Sequence, residues 1–354
     1  MQDSDAIDEV DLAIFHALEI APRATWAAVG QAVGIDPVTA ARRWTALEEA
    51  NLAWVTSYPL LARETTAMLV EIHCSAHCVR SVAAVVARCS LAMSVDIVSG
   101  TSDILVLAGG ASARVLRDFV LSRLPVIEGV LRVTTHPIVA VHVDSGLVAE
   151  GSLTQSSRQT LPAHRRGTLV PTALPADDLD WALCLELSRH GRMSVAALSR
   201  AAGATEPTVK RRLSKLTSDG ALHLRAVLAP AAAPQQVVVW LRLQVPPDEV
   251  AASVSAIARM TGVKFVALVA GPDNLEVKVV LSNIAVLEAL ESRIHRNHPH
   301  IRISNRTVVL EHVRHIARVF DERGLASETV SIDIRSCSPM QSVAPSLTEN
   351  IARP

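Results

Sequence analysis

The sequence predicts an α+β protein in which two three-helix domains alternate with two βαββαβ domains. Three observations support this prediction: an internal repeat, helical spacing of apolar residues in the first part of each copy, and alternating strand-like and helix-like segments in the second part. The chain has 354 residues, of which 49% are hydrophobic and 19% charged, which is typical of a globular protein with a core.

The repeat aligns residues 8–53 with residues 177–222 without a gap. Slightly further along, a shift of about 171 residues pairs "AMLVEIHC" with "VVWLRLQV". The predicted domains are therefore residues 1–60 and 65–143 in copy one, and residues 177–230 and 236–316 in copy two. Residues 144–176 are rich in Ser, Thr, Gly, Pro and Ala and are predicted to be a flexible linker. Residues 327–354 show no sustained period and are predicted to be disordered.

Three helices are predicted in the first part of each copy. In copy one, Thr25 and Asp36 can cap the second and third helices, and Gly34 suits the turn between them. In copy two the predicted caps are Ser194 and Thr205. Helix, tight glycine-containing turn and helix form the helix-turn-helix plan, whose last helix enters the major groove of DNA. A short strand-like segment follows, so the domain is predicted to be winged-helix-like.

The third helix of each copy carries hydroxyl and basic side chains that suit contacts with phosphates and base edges. The predicted DNA-binding residues are Thr39, Arg42 and Arg43 in copy one, and Thr208, Lys210, Arg211, Arg212 and Lys215 in copy two. The alternative is a three-helix packing unit with a solvated basic face. Recurrence of the same spacing in both copies favours DNA binding.

The two helix-turn-helix segments differ in charge. Residues 8–58 contain seven acids and three bases, whereas residues 177–228 contain six acids and eight bases. The net charge of the whole chain is −1, so DNA must be met by a local basic surface. Because neutralisation of phosphates dominates DNA affinity, copy two is predicted to supply most of it.

The second part of each copy reads strand-helix-strand-strand-helix-strand. This order is the ferredoxin-like arrangement, an antiparallel sheet with helices on one face. The other face of the sheet would expose apolar residues unless a second sheet covered it, so such units are expected to pair.

Together, "DEVDLAIFHAL", "PTVKRRLSKLTSDGAL" and "SGTSDILV" resemble the Lrp/AsnC regulators over about 290 residues. The resemblance implies a tandem duplication of the family's unit, a helix-turn-helix domain followed by a βαββαβ effector (RAM) domain. Family members usually dimerise by packing their sheets face to face, so the two halves are expected to form an intramolecular pseudo-dimer. The resemblance also implies that the protein regulates transcription by binding double-stranded DNA. It further implies a location in the cytoplasm at the nucleoid and the association of chains into dimers to tetramers.

In this family small effectors, commonly amino acids, bind between βαββαβ domains near the glycine turn that joins the middle strands. Carried over to this sequence, the implied effector-binding residues are Gly100, Thr101, Ser102 and Asp103 in copy one, and Gly271, Asp273 and Asn274 in copy two. The acid in copy two is displaced by one position. The alternative is that the glycines only permit a tight turn that the acids cap.

No enzyme activity, cofactor or metal is expected. Siroheme decarboxylases share this build, but they carry a Tyr, Arg and His set on the middle strands. Here the single tyrosine, Tyr58, lies elsewhere, and "SVDIVSGTSDI" and "FVALVAGPDNL" contain neither Arg nor His. A further alternative is a ligand-sensing interaction protein with degenerate DNA binding, which the acidic first helix-turn-helix favours.

The stretch "HCSAHC", residues 73–78, has the composition of a metal site. Copy two has "QVPPDE" at these positions, with neither His nor Cys. We therefore interpret the stretch as a strand end, with Cys74 as a small core residue. No apolar run approaches the roughly 18 residues of a membrane span, and the odd number of cysteines (five) fits a reducing cytoplasm.

Overall fold

The structure, a computed structural model, describes residues 7–58, 66–144, 153–162, 177–233 and 236–335. Copy one contains three helices and a strand, followed by a βαββαβ unit. Its elements are α1 Glu9–Ile20, α2 Trp26–Val33, α3 Pro37–Glu49, β1 Ala53–Tyr58, β2 Thr66–Cys74, α4 Val79–Ala87, β3 Ala92–Val98, β4 Ile104–Gly110, α5 Ala113–Asp118 and β5 Val130–Asp144.

A short helix, α6 (Gln155–Gln159), lies between the two copies. Copy two then repeats the order of copy one and adds two short strands. Its elements are α7 Asp178–Arg189, α8 Val195–Ala202, α9 Glu206–Ser218, β6 His223–Leu228, β7 Val237–Gln244, α10 Val250–Ile257, β8 Val263–Val269, β9 Leu275–Leu281, α11 Val286–Asn297, β10 Arg302–His315, β11 Arg318–Phe320 and β12 Ala326–Thr329. The α+β class and the two-part unit are confirmed.

Local chemistry sets the ends of the helix-turn-helix helices. The Asp36 carboxylate accepts hydrogen bonds from the backbone N–H groups of Val38 and Thr39, which starts α3. Gly34, with φ of 81°, ends α2 in the left-handed conformation that glycine adopts without steric cost. The predicted Thr205 cap is wrong in detail: Thr205 occupies the cap position of α9, but its hydroxyl pairs with the Thr208 hydroxyl instead of a backbone N–H.

The two βαββαβ sheets join edge to edge at two seams. At one seam β5 pairs antiparallel with β8, and at the other β10 pairs antiparallel with β3. Together with the pairing of β10 with β7, these seams close eight strands into a ring in the order β3-β4-β2-β5-β8-β9-β7-β10. Closure leaves no unpaired edge between the two copies, and the sheet faces that carry no helices meet inside the ring.

A pseudo-two-fold axis relates the contacts between the copies. The residue pair Ile138↔Val269 at one seam corresponds under the repeat to Val309↔Val98 at the other. The strands that leave the two helix-turn-helix domains, β1 and β6, obey the same symmetry in a separate antiparallel pair. Each of these strands therefore pairs with the other copy, which ties the two helix-turn-helix domains together.

Two arginines at equivalent repeat positions join the helix-turn-helix domains reciprocally. Arg23 donates to the backbone carbonyls of Gly191 and Met193 at 2.7 and 2.8 Å. Arg192 donates to the carbonyls of Pro22 and Ala24 at 2.7 and 2.8 Å. Each guanidinium thus satisfies two carbonyls in the turn between the first two helices of the other copy.

The apolar core is divided by the strand ring. Inside the ring, a cluster around Leu69, Trp240 and Phe265 fills the space between the two sheets. Outside it, one cluster lies between the sheet of copy one and its helices, and another lies in the same place in copy two. Among the described residues, no helix has the length and apolar character needed to cross a membrane.

Two stretches predicted to lack structure are partly folded. In the segment 144–176, α6 packs on the first helix-turn-helix domain and buries Leu153 and Leu161 in its core. In the segment 327–354, β12 pairs with β11, and Ile332 and Ile334 are buried beside Trp54. Short apolar anchors hold these segments, and a search for sustained periodicity misses such anchors. The remaining parts of both predictions, 145–152, 163–176 and 336–354, lie outside the described residues.

Replacing Arg23 or Arg192 by Ala removes two charge-assisted hydrogen bonds and leaves two carbonyls without their donor. We expect each substitution to lower the free energy of unfolding by about 2–3 kcal/mol, measured by urea denaturation of the intact chain. Arg200→Ala, at an exposed arginine on α8, is the matched control and should change stability little. Equal losses in Arg200→Ala and Arg23→Ala would contradict this role.

Candidate nucleic-acid interface and ligand sites

The recognition helices α3 and α9 pack through one face and leave the other open. Ala40, Trp44 and Leu47 bury the inner face of α3, and Val209 and Leu216 bury that of α9. The outer faces carry the predicted DNA-binding residues. Of these, Arg42, Lys210, Arg211 and Lys215 are exposed, and Thr39 and Thr208 are half-buried.

Arg43 and Arg212 occupy equivalent positions, and each joins its recognition helix to the first helix of the same domain. Arg43 Nη1 lies 2.7 Å from Asp8 Oδ2 and 3.0 Å from Asp11 Oδ1, at the start of α1. Arg212 makes the corresponding pairs with Asp177 at 2.7 Å and Asp180 at 3.3 Å, at the start of α7. Hydrogen bonds to Asp8 and Asp11 raise the pKa of Arg43. Contact of these two arginines with DNA stays a prediction, but the structure gives both a role inside the fold.

Contacts of arginines with acceptors inside the protein increase the difference in exposed positive charge between the two helix-turn-helix domains. In the described part of copy one, Arg23 and Arg43 donate to protein acceptors, so Arg42 is the exposed cation of that domain. In the helix-turn-helix domain of copy two, the exposed cations without an ion pair in the described residues are Arg200, Lys210, Arg211 and Lys215. The positive surface available for phosphates is therefore concentrated on α8 and α9 of copy two.

The predicted effector turns lie at the two seams. Gly100, with φ of 101°, stands beside the backbone of Arg306 on β10 of the other copy. Just before it, the Ser99 N–H donates to the Val308 carbonyl at 2.8 Å. The equivalent bond at the other seam joins the Ala270 N–H to the Pro137 carbonyl at 2.8 Å. Each turn thus touches the other copy.

The last residue of each turn, Asp103 or Asn274, is hydrogen-bonded to the backbone at the end of a neighbouring strand. Asp103 Oδ2 accepts from the Cys74 N–H at 2.7 Å. Asn274 stands at the equivalent position, accepts from the Val245 N–H at 2.9 Å and donates to the Val245 carbonyl at 2.9 Å. The repeat therefore equates Asp103 with Asn274 rather than with Asp273, and both side chains are engaged within their own copy. Ser102 is buried, and Thr101 Oγ1 accepts from Asn305 Nδ2 at 3.4 Å.

A chain of charged groups crosses the inside of the strand ring. Arg242 on β7 lies 2.8 Å from Glu71 on β2 and 2.6 Å from Glu276 on β9, and all three are buried or nearly so. His136 on β5 lies 3.4 Å from the other oxygen of Glu71. Burial raises the pKa of Glu71, but the His136 hydrogen bond and the Arg242 charge outweigh it and bring the pKa to about 2.

A second group of charges lies elsewhere inside the ring. His312 Nδ1 is 2.7 Å from Asp96 Oδ1, and Arg225 Nη2 is 2.9 Å from Asp144 Oδ1. Lys278 is buried nearby, and desolvation lowers the pKa of its ammonium. The cavity between Lys278, Arg225 and Asp144 holds about 30 Å³, which suits about one water molecule.

Sequence reasoning missed both interior groups. The signal was present: Glu71 and Arg242 interrupt apolar strands at equivalent repeat positions on the face away from the helices. A charged residue at such a position indicates a partner on the facing sheet, since an unpaired buried charge is costly.

The "HCSAHC" stretch spans the end of β2 and the turn into α4. Cys74 is buried, and burial with the nearby charge of Asp103 raises the pKa of its thiol to about 11. The His73 ring lies 3.0 Å from Arg132 Nη2. Within the described ranges, no group of three or more His, Cys, Asp and Glu side chains converges as metal ligands do.

Comparisons with known proteins agree with this architecture. The family model described as the AsnC-type helix-turn-helix domain matches twice, at residues 7–48 and 177–217. Uncharacterized HTH-type transcriptional regulators of Pyrococcus horikoshii and Pyrococcus abyssi are 26% and 27% identical over 113 residues, 32% of this chain and 72% of each regulator. The siroheme decarboxylase NirDL has a similar structure, with a TM-score of 0.50 and 15% identity, covering 89% of this chain and 96% of that one. The last likeness concerns the fold alone.

Glu71 makes stability dependent on pH. Its pKa falls from 4.5 in the unfolded chain to about 2 in the folded one, so its contribution is complete above about pH 4.5 and is lost as the pH falls toward 2. We expect Glu71→Gln to lower the free energy of unfolding by about 2 to 3 kcal/mol at pH 7. The difference from wild type, measured by urea denaturation, should shrink between pH 4.5 and 2.

The control is Glu311→Gln. Glu311 pairs at the surface with Arg80, whose side chain is 65% exposed, so its loss should cost less than about 1 kcal/mol at any pH. A Glu71→Gln difference that stays constant with pH would show that the carboxylate charge is not what stabilises the ring.

Proposed function

We propose that this chain is a tandem duplication of the Lrp/AsnC transcriptional-regulator unit and that its halves read DNA as one intramolecular pseudo-dimer. The observation that carries the proposal is the exposed basic face of α9, formed by Lys210, Arg211 and Lys215 on a helix with the AsnC-type context. These side chains engage no acid in the described residues, so their charge is available to phosphates. The helix α9 supplies most of the affinity, and α3 contributes mainly through Arg42.

Chain association extends the DNA contact. Val139 on β5 and Leu310 on β10 occupy equivalent positions and are 64% and 65% exposed, and Leu131 on β5 is similarly exposed. Apolar side chains exposed on two symmetry-related strands support packing against further chains. We place the resulting dimers to tetramers in the cytoplasm at the nucleoid.

Substitution of Lys210 and Arg211 together by Ala should abolish or greatly weaken DNA binding. The slope of log affinity against log salt should fall in magnitude by about 2, because two phosphate contacts are lost. The measurement is a salt-dependent gel shift or fluorescence anisotropy titration with DNA from upstream of the protein's own gene.

Arg42→Ala tests the equivalent face of copy one and should have the smaller effect. It is a cleaner test than a change at Arg43, whose removal also breaks the ion pairs to Asp8 and Asp11. Arg296→Ala on α11 controls for a general loss of positive charge. Greater damage from Arg42→Ala than from the α9 double substitution would reverse the ranking of the copies.

The regulator responds to a small molecule, an amino acid or a related metabolite, in this proposal. Residues 100–103 and 271–274 lie at the two seams, where a ligand would touch both copies at once. A ligand that binds one arrangement of the copies more tightly shifts the equilibrium toward it. Because Asp103 and Asn274 already hold strand ends, backbone groups and Thr101 are the ligand contacts we expect at these turns.

The effector response is tested by measuring DNA affinity and melting temperature with each of the twenty L-amino acids. A productive effector should shift both quantities, since binding to the folded state raises its stability. If neither quantity moves for any amino acid, the amino-acid response fails while the DNA-binding result stands independently.

Two other functions have specific support. The fold similarity to siroheme decarboxylase NirDL favours a tetrapyrrole enzyme, and incubation with siroheme would then give a protein-bound Soret absorption band. The acidic surface of the first helix-turn-helix domain favours a ligand sensor without DNA binding, which a failed gel shift at low salt would support.

A further inference from the structure

A cleft of about 550 Å³ lies between the two helix-turn-helix domains, away from the seam turns. Four segments distant in sequence form its walls: the end of α3, β1, the turn after α7, and the β11–β12 hairpin. Its volume is within the range of small-molecule binding sites. Because it contacts a recognition helix of one copy and the first helix of the other, a ligand there would sense their relative position.

One wall of the cleft carries guanidinium groups held by neutral acceptors. Arg192 donates to the carbonyls of Pro22 and Ala24, and Arg318 donates to the Arg189 carbonyl at 2.7 Å and to the Thr329 hydroxyl. These partners fix the side chains without neutralising their charge. Desolvation lowers the pKa of Arg192 to about 10 and also lowers that of Arg318, which indicates that both charges would gain from an anionic partner.

The opposite side of the cleft carries carboxylates. Glu48 lies near the end of α3 and interacts electrostatically with Arg192 and Arg318. No ion pair within 4 Å joins Glu48 to either arginine in the described residues, although the charges of both arginines act on its carboxyl group. Desolvation raises the pKa of Glu48, and a cationic group beside it would offset that cost.

An aromatic side chain lines the cleft between the charges. Trp54 on β1 is 4% exposed, and its indole N–H is buried without a hydrogen-bond acceptor in the described residues. The Arg318 guanidinium carbon lies 5.5 Å from the Trp54 ring centroid, a distance typical of a cation–π contact.

In the described residues, the positions equivalent to the cleft lining differ from it in chemistry. Under the repeat, Glu48 and Glu49 correspond to Thr217 and Ser218, and the symmetric pairing of β1 with β6 equates Trp54 with Leu224. Arg318 comes from the β11–β12 hairpin after β10, and the described residues of copy one contain no such hairpin after β5. The charged and aromatic lining therefore belongs to one side of the molecule, in contrast to the duplicated seam turns.

We propose that this cleft binds one zwitterionic metabolite per chain, an α-amino acid or a close relative, with its carboxylate at Arg192 and Arg318 and its ammonium at Glu48. The proposal rests on the regulator function above and assigns its effector to this cleft; the seam turns are the competing location, and the titration below distinguishes the two. A bound ligand bridges α3 of copy one and the turn after α7 of copy two, so it fixes the relative position of the two helix-turn-helix domains and changes DNA affinity.

The test is isothermal titration of the intact chain with the twenty L-amino acids. For the tightest binder, the matched amine without the carboxylate and the matched 2-oxo acid without the ammonium are titrated as well. We expect one site per chain and at least tenfold weaker binding of both analogues. Two equivalent sites per chain would place the ligand at the seams and overturn the cleft.

Three variants identify the contacts. Glu48→Gln should weaken the amino acid at least tenfold and leave the 2-oxo acid unchanged, whereas Arg318→Gln should weaken both. Thr217→Ala, at the position equivalent to Glu48, is the matched control and should bind normally. Arg318→Gln also removes contacts to the hairpin, so its melting temperature is measured to detect a loss of stability. Arg318→Lys keeps the positive charge and should retain more affinity for the amino acid than Arg318→Gln does.

The readout separates this proposal from the regulator function. Gel shifts without amino acid report DNA binding alone and should be unchanged in Glu48→Gln, whereas the response of the gel shift to amino acid should be lost. If Glu48→Gln and Arg318→Gln bind every amino acid as wild type does, or if no amino acid binds, the cleft proposal is wrong even where DNA binding is intact.

Discussion

The structure depends on the closure of two open sheets against each other. An antiparallel sheet of four strands with helices on one face has two unpaired edges and one uncovered apolar face. The seams β5–β8 and β10–β3 pair the edges, and the interior cluster around Trp240 and Phe265 covers both faces at once. A half without its counterpart would solve neither problem, so the two copies fold as one assembly.

Closure of the ring constrains the DNA-reading domains. Each helix-turn-helix domain leads into its sheet through a strand that pairs with the corresponding strand of the other copy. Arg23 and Arg192 then fix the turns above this pair by reciprocal bonds to carbonyls. The recognition helices are therefore held relative to one another by the same axis that relates the sheets. The cleft beside Arg192 lies between the same two domains.

Features that repeat or are local could be predicted from the sequence. The gapless repeat and the helix caps gave the helices, and the strand alternation gave both βαββαβ domains. Features made by distant side chains could not: the pairing of Arg43 and Arg212 with acids on the first helix depends on how two helices pack. The folded part of the tail escaped prediction because two isoleucines, Ile332 and Ile334, anchor it to a distant core.

In the candidate ligand sites, too, local features could be predicted from the sequence and contacts between distant residues could not. Glycine at position 100 was predictable from the turn it permits, and its φ of 101° agrees. The hydrogen bonds from Asp103 and Asn274 to strand ends could not be predicted, because they depend on the position of a neighbouring strand. The cleft combines four segments and two copies, and no single stretch of sequence contains its pattern.

Glu71 and Arg242 occupy the same place in the two copies and meet at the centre of the ring. Opposite signs at equivalent positions have a consequence for the separate halves. A symmetric pair of first halves would bring two glutamates together, and a symmetric pair of second halves would bring two arginines together, each in a buried site. The ion pair between Glu71 and Arg242 therefore favours the pairing of unlike halves, and one covalent chain keeps these two halves together.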